Sequence, residues 1–292
     1  MFDIIIGNPP YQKVVGPKKS QAIWPLFIKY SLELLKEDGY LLFVHPSGWR
    51  NPHGAFRNIY NKILDKNLIY LNMNDTKKGQ EIFKAATNFD YYLLCNNTDY
   101  KFTLINDIDD KEYKINLQEW EFIPSGKFND FEKLLIKNKE VNLLHSQSGK
   151  KYMNKQKTVN ILYSRSEYGT DKKNIKRDNN NNIFKYPCIY TITQTGVNYY
   201  YSSEKKGHFD IPKVIWSNGM GTYVIKDEKG EYGLTQFAYA IVDKVENLEV
   251  IKNAMNSKRF IELMKYASIT TNNKYNHKVI GLFKKDFYKE FI

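Results

Sequence analysis

The sequence lacks the features that would place it in a membrane or outside the cell. None of its apolar runs approaches the roughly 20 residues that a membrane-spanning helix needs, and no basic-then-apolar signal peptide opens the chain. Its two cysteines, Cys95 and Cys188, stand far apart and in no metal-ligand spacing. We therefore predict free thiols in a reducing compartment, a cytoplasmic protein and no membrane partner.

Recognisable metal-binding patterns are also missing. The five histidines form no paired ligand motif, so no metal site is predicted. Asp107, Asp109 and Asp110 resemble a metal loop only faintly, because the glycine and terminal glutamate of a calcium loop are absent. A solvated acidic turn is the better interpretation of these aspartates.

What the chain does have is a large core-forming fraction and a marked positive charge. Of its 292 residues, 42% are hydrophobic and 15% are aromatic, which is enough for a substantial core. There are 44 lysines and arginines against 32 acidic residues, giving a formal net charge of +12. Such an excess favours a polyanionic partner.

The most informative stretch is the first eleven residues. Phe2–Ile6 is a short apolar run rich in β-branched residues, which predicts a buried strand of a parallel sheet. The run stops at Gly7, and Asn8-Pro9-Pro10-Tyr11 follows. The sequence thus places these four residues at the carboxyl edge of the sheet, where open α/β sheets bind ligands.

The chemistry of this turn suits a planar ring that carries an amino group. Two successive prolines fix φ, lack N–H groups and hold the preceding residues extended, so the loop is stiff and its carbonyls are free to accept hydrogen bonds. Asn8 adds a side-chain carbonyl and Tyr11 a flat apolar face with a polar tip. Together they form a rigid double acceptor beside a stacking surface.

Ile-Ile-Gly-Asn-Pro-Pro-Tyr resembles the catalytic motif of the DNA adenine-N6 methyltransferases, of the Eco57I- or TaqI-like type with a carboxyl-terminal target-recognition domain. The resemblance implies methyl transfer from S-adenosylmethionine to an adenine flipped out of double-stranded DNA, within a restriction-modification system. It assigns catalysis to Asn8, Pro9, Pro10 and Tyr11. The Asn8 side chain and the Pro9 carbonyl would hold the amine hydrogens, and Tyr11 would stack on the base.

Three alternatives to this interpretation remain open. Asn-Pro is also a common loop signal, so the motif could be a plain turn after a strand. The same tetrapeptide serves methyltransferases that act on RNA or on protein glutamine. The chain could also be an inactive or non-enzymatic DNA-specificity subunit, or a remnant that keeps the motif.

Two further places in the first half are candidates for the pocket around the base. The 40–44 run predicts a second buried strand, and the loop after it contains Pro46, Ser47 and Trp49, which join Gly7 as pocket candidates. The equally open alternative is a loop held by a buried tryptophan. Phe89, near the start of a predicted antiparallel strand, is the candidate second face of an aromatic clamp opposite Tyr11; the alternative is a core residue.

The chain is predicted to contain two domains. Residues 1–122 resemble the carboxyl-terminal part of a Rossmann-like class I methyltransferase sheet, an α/β fold, with helices expected at 20–36 and 56–64. Residues 123–292 resemble an α+β target-recognition, DNA-binding domain. Its candidate phosphate contacts are the basic residues of two polar stretches: Lys150, Lys151, Lys155, Lys157, Lys172, Lys173 and Arg177.

The cofactor-binding motif of the family is not evident. In the resembled enzymes a glycine-rich loop and an acidic residue precede the Asn-Pro-Pro-Tyr motif, whereas only 1–7 precede it here. Gly219-Met220-Gly221 follows a strand-like run, but the next residues read as another strand rather than a helix. We therefore expect a second polypeptide to supply the cofactor-binding half, and the first strand to have an unpaired parallel edge.

Overall fold

The computed structural model describes residues 1–16, 19–51, 54–99, 101–136, 157–164, 167–179, 182–267 and 274–292. They form two compact units, and among the described residues the first unit ends at Phe128 and the second begins at Asn129. This division lies slightly after the boundary expected from the sequence. None of the described helices is long and apolar enough to cross a membrane.

The first unit is built on a six-stranded sheet. The strands of this unit are β1 (Phe2–Gly7), β2 (Gln12–Gly16), β3 (Lys19–Ala22), β4 (Leu35–Pro46), β5 (Asn67–Asn74), β6 (Phe89–Cys95), β7 (Thr103–Asn106) and β8 (Glu112–Ile115), and the helices are α1 (Trp24–Leu34), α2 (Arg57–Leu64) and α3 (Thr76–Phe83). In the large sheet the strands lie in the order β1-β4-β6-β5-β7-β8, and β2 and β3 form a separate two-stranded sheet.

The alternation of side chains along β4 determines which face of the sheet is covered. Leu41, Phe43 and His45 are buried on one face, and Trp24 at the start of α1 stacks on the His45 ring with centroids 4.5 Å apart. β1 runs parallel to β4, as predicted, and α1 lies between them in the chain. The carboxyl ends of β1 and β4 therefore meet at the same edge of the sheet.

The prediction that β1 is buried is wrong. Phe2, Ile4 and Ile6 are 54%, 60% and 71% exposed. They are exposed because β1 lies at the edge of the sheet, pairs only with β4, and has no described element packed over that face. Among the described strands, the other edge of β1 has no partner.

The helix expected from residue 20 begins later than predicted. Residues 19–22 pair with β2 as strand β3, and α1 starts at Trp24 with Pro25 in its first turn, where a proline costs no hydrogen bond. The helix over 56–64, the strands around β4, β5 and β6, and the β7–β8 hairpin are confirmed in type and approximate position.

The second unit is also a mixture of helices and strands. Two four-stranded sheets, ordered β10-β12-β11-β15 and β14-β13-β16-β9, share a cluster of buried aliphatic residues that includes Ile189, Ile215 and Leu234. The elements are α4 (Phe128–Leu134), β9 (Ile161–Tyr163), β10 (Ile175–Lys176), β11 (Tyr186–Thr193), β12 (Gly196–Ser202), β13 (Lys213–Ser217), β14 (Ile225–Asp227), β15 (Gly233–Leu234), β16 (Ala238–Val242), α5 (Val245–Asn256), α6 (Lys258–Ala267) and α7 (His277–Ile280).

Candidate functional site

The opening turn lies at the carboxyl end of β1, as the sequence predicts. β1 ends with Gly7 paired to Phe43, after which Asn8 and Pro10 are exposed and Pro9 is buried. A Cβ atom on Gly7 would lie 2.9 Å from Cε1 of Phe43, so glycine allows the strand end to approach that ring. The Asn8 amide is therefore presented to solvent on a turn whose second residue is anchored.

Tyr11 is held from two sides. Its backbone carbonyl accepts a hydrogen bond from the Ile23 N–H at 3.1 Å, and its ring meets the edge of Phe83 with centroids 6.3 Å apart. The hydroxyl oxygen is buried with no hydrogen-bond partner in the described part of the chain, and burial raises the pKa of this hydroxyl. The ring is thus positioned by packing and not by its hydroxyl group.

Phe83 contacts the candidate site, although the sequence analysis did not identify it as a site residue. It ends α3 and contacts Phe89 edge-to-face at 4.8 Å, so Phe83 lies in contact with both Tyr11 and Phe89. Phe89 itself is only 3% exposed. The signal that could have identified Phe83 is an aromatic residue at the last turn of a helix that ends just before the β6 strand.

The loop after β4 is packed into the protein. Ser47 and Trp49 are 1% and 0% exposed, and the Trp49 indole N–H donates to Oδ2 of Asp90 at 2.8 Å. The Ser47 N–H donates to the Asn88 carbonyl at 3.2 Å. A buried tryptophan therefore holds this loop, as in the alternative interpretation. That Ser47 and Trp49 line the pocket stays a prediction.

A buried ion pair fixes the same loop against the start of β6. Arg50 donates from Nε to Oδ2 of Asp90 at 2.9 Å, and both side chains are almost inaccessible to solvent. Arg50 Nη1 also donates to the Ser125 hydroxyl at 3.2 Å. Burial raises the pKa of the Asp90 carboxyl, although the Arg50 charge and the hydrogen bonds oppose that shift. This network holds Phe89, the residue before Asp90, in place.

An open cleft of about 460 Å³ lies over the sheet, and Phe83, which contacts Tyr11, is part of its wall. The register places Val44, Tyr91, Asn72 and Asn106 in one row across β4, β6, β5 and β7. Since Gly7 pairs with Phe43, Asn8 leaves β1 beside Val44. The Asn74 amide donates to Oδ1 of Asn72 at 2.8 Å, and Phe83, Phe89 and Pro46 border this row or line the cleft.

The composition of the cleft suits a flat polar ring. Its walls include Phe83, Phe89 and Tyr91 together with the amides of Asn72 and Asn74. Aromatic rings offer stacking surfaces, and asparagine amides offer a donor and an acceptor to the edge of a base. Its volume falls within the range of small-ligand pockets, about 300–1,000 Å³.

The basic residues expected to contact DNA lie partly outside the described residues. Lys150, Lys151 and Lys155 fall in the undescribed range 137–156. In the second unit, four of the predicted residues are exposed, three of them around the short strand β10: Lys157, Lys172, Lys173 and Arg177. Their contact with phosphates stays a prediction.

The described residues provide no cradle for a nucleotide cofactor. Gly219-Met220-Gly221 follows β13, and the next element is strand β14 rather than a helix, which confirms the sequence-based interpretation of that segment. No group of three or more histidine, cysteine, aspartate or glutamate residues in the described ranges could hold a metal ion. Cys95 and Cys188 are free and buried.

Comparison with known proteins finds relatives of the segment that contains the opening turn. Residues 1–83 match the model of the Eco57I restriction-modification methylases. This segment is similar to the Eco57I methylases. The resemblance predicted from Asn8-Pro9-Pro10-Tyr11 is therefore confirmed. A protein of Methanocaldococcus jannaschii, named as a type II restriction enzyme and methyltransferase, is 35% identical over 83 residues, covering 24% of this chain and 7% of the relative.

Solved structures of restriction-modification proteins share only a distant likeness with this chain. The EcoKI M protein, a type I enzyme, is 15% identical with a TM-score of 0.28, over 47% of this chain and 36% of that one. The type ISP enzyme LlaGI, in complex with a DNA substrate mimic, is 11% identical with a TM-score of 0.40, over 92% of this chain and 33% of that one.

Proposed function

We propose that this chain carries the catalytic turn and the target-recognition part of a DNA adenine-N6 methyltransferase from a restriction-modification system. The observation that carries the proposal is the placement of Asn8. Its amide is exposed at the carboxyl end of β1, within a segment that matches the Eco57I methylases and beside a cleft walled by aromatic rings and amides.

The turn would make the exocyclic amine of adenine a better nucleophile. The exocyclic nitrogen of adenine is a weak nucleophile because its lone pair is delocalised into the ring. The Asn8 side-chain oxygen and the Pro9 carbonyl would accept its two hydrogens and so localise the lone pair outward, in a geometry fixed before the base arrives. Because Pro9 is buried, the backbone of the turn is held in place before the amine binds.

Tyr11 would then supply one face of the base site. Its ring is held by Phe83 and by the hydrogen bond to its backbone carbonyl, so it would be preorganised for stacking. Phe83 provides further aromatic surface in the cleft. Once flipped out of the duplex, an adenine would stack on the Tyr11 ring with its amine toward Asn8.

S-adenosylmethionine is the methyl donor that this reaction requires, and the described residues do not fit it. No described glycine-rich turn leads into a helix after a strand of the six-stranded sheet. The chain's own part is therefore to bind and orient the amine. We propose that a second polypeptide supplies the cofactor-binding half.

The open side of β1 is where that polypeptide would join. Phe2, Ile4 and Ile6 point to the same exposed face, and Ile4 is paired with Tyr40, which is 42% exposed. A contiguous apolar strip beside an unpaired strand edge favours a partner that adds a parallel strand and covers the face. The positive net charge of the whole chain favours double-stranded DNA as the substrate.

Substitution of Asn8 tests the proposed reaction. In the assembly of this chain with its partner polypeptide, Asn8→Ala should lower the methylation rate by at least about 100-fold, because one preorganised acceptor is lost. DNA affinity, measured in parallel, should change little. Asn58→Ala, at an exposed asparagine of α2, is the matched control. Full-rate methylation by Asn8→Ala would show that the motif is a relic or a plain turn.

A further inference from the structure

The hairpin that follows Tyr11 is not part of any larger sheet. β2 and β3 pair only with each other, in the register Lys13 with Gln21 and Val14 with Ser20. The register shifts between Val14 and Gly16, so Val15 is an extra residue on the first strand. The base of the hairpin is closed by the hydrogen bond from the Ile23 N–H to the Tyr11 carbonyl.

Two consecutive valines on this hairpin face solvent. Val14 is 79% exposed and Val15 is 53% exposed, although valine is among the residues most often buried. A bulge commonly re-aims a side chain, and here it accompanies two neighbouring apolar side chains that are both free of the core. Core packing in the described part of the chain does not account for them.

The charge of the hairpin segment indicates the kind of partner it meets. Residues 12–22 contain three lysines and no acidic residue, and Lys13 is exposed within β2. A basic segment of this kind favours a polyanion. A two-stranded ribbon is also narrow enough to enter a groove of double-stranded DNA.

We propose that the β2–β3 hairpin is a wedge that enters the DNA duplex beside the methylated base, with Val14 and Val15 occupying the space that the flipped base leaves. The proposal rests on the function proposed above and adds the step that opens the duplex. Proteins that unstack DNA commonly insert apolar side chains between base steps. The hairpin begins directly after Tyr11, so the wedge and the stacking face are joined by a single short connection.

A wedge is needed only when the target base is paired. We therefore compare two duplexes that contain the recognition site, one with the target adenine opposite thymine and one with it opposite an abasic site. With the methylating assembly, Val14→Ser combined with Val15→Ser should slow methylation of the paired duplex about tenfold or more, because nothing compensates the unstacking. The rate on the abasic duplex should stay within about twofold of that of the unmodified protein.

The controls separate this proposal from the proposed reaction. Val245→Ser, at a valine of the second unit that is 47% exposed, should leave both rates unchanged. Asn8→Ala should lose methylation on both duplexes, whereas the valine variant should lose it only on the paired one. An equal loss on both duplexes, an unchanged rate on the paired duplex, or a failure of the valine variant to assemble with its partner polypeptide would each overturn the wedge.

Photo-cross-linking gives a second measurement that needs no methyl transfer. With benzoylphenylalanine in place of Val14, the full chain in its assembly should cross-link to nucleotides within one or two positions of the methylated adenine. The same group in place of Val245 is the control. Cross-links that are absent, or spread evenly along the duplex, would contradict insertion at the target base.

Discussion

At the residue scale, the ring and the hydroxyl of Tyr11 have separable roles. The ring packs against Phe83, whereas the hydroxyl oxygen is buried with no partner in the residues that the structure describes. A buried polar atom without a hydrogen bond costs about 1–3 kcal/mol. The aromatic face would therefore serve the reaction while the hydroxyl group contributes nothing to stability.

This separation gives a first prediction. Tyr11→Phe should leave the free energy of unfolding unchanged or raise it by about 1 kcal/mol, and should preserve methylation, because only the unpaired hydroxyl is removed. Tyr11→Ala should lower the methylation rate strongly, since it removes the stacking face. Urea unfolding and methylation assays on both variants check this. Loss of activity in Tyr11→Phe would assign a role to the hydroxyl group instead.

His45 predicts a pH dependence of stability. The ring is fully buried against Trp24, and burial lowers its pKa from 6.5 to about 4. Because the pKa of His45 is lower in the folded state than in the unfolded state, neutral His45 contributes its full stability when the pH is above the unfolded-state pKa. That contribution is lost as the pH falls through the window from 6.5 to about 4.

The measurement is urea unfolding at pH 7 and pH 5. Between these values the chain should lose about 2 kcal/mol more stability than His45→Gln, which cannot titrate in this range. The residual slope of the variant reports other groups, including buried His208, whose pKa burial also lowers to about 4. Equal pH dependence in the two proteins would mean that His45 is not held neutral.

At the element scale, α3 is positioned by its glycine. A Cβ atom on Gly79 would collide with the backbone carbonyl oxygen of Thr87. The helix can therefore lie close to the segment before β6 only because residue 79 has no side chain. Phe83 at the end of the same helix contacts Tyr11 and Phe89, so the position of α3 affects the aromatic wall of the cleft.

Gly79→Ala should consequently destabilise the protein, although glycine-to-alanine substitutions in helices usually stabilise it. In an open helix, alanine is more favourable than glycine by about 1 kcal/mol. Here the collision should destabilise the protein by about 1–3 kcal/mol and lower methylation by displacing Phe83. Gln80→Ala, at an exposed position of the same helix, is the control. A stabilised Gly79→Ala variant would show that α3 is free to move away.

Some elements of the first unit follow from the local sequence pattern, whereas others do not. Strands with continuous apolar runs, such as β4 and β6, follow from local pattern, and the opening turn follows from its motif and the strand before it. Residues 12–22 show no strand-like alternation of apolar and polar residues, so their hairpin was not expected. The Arg50–Asp90 ion pair and the hydrogen bond from Trp49 to Asp90 each join residues about forty positions apart in the chain. The local sequence pattern does not predict contacts between such distant residues.

At the scale of the whole molecule, the first strand shows why composition alone does not predict burial. Phe2, Ile4 and Ile6 have the composition of a buried strand, but what would cover them is not among the described residues. A further strand paired to the open edge of β1 would cover this face.

Cofactor binding tests this view of the molecule. Isothermal titration of the isolated chain with S-adenosylmethionine should detect no micromolar binding, because the described residues lack a cradle for it. Addition of the proposed partner polypeptide should confer micromolar binding. Micromolar binding by the isolated chain would refute the proposal that a second polypeptide carries that half.

Base-resolved sequencing of host DNA is the most direct test of whether Asn8 binds the amine of a DNA adenine during methylation. A host that expresses this chain with its partner polypeptide should carry N6-methyladenine at nearly every copy of one short sequence. The same host with Asn8→Ala should carry none above background. N6-methyladenine at an undiminished level in the Asn8→Ala host, or its complete absence in both hosts, would contradict the account.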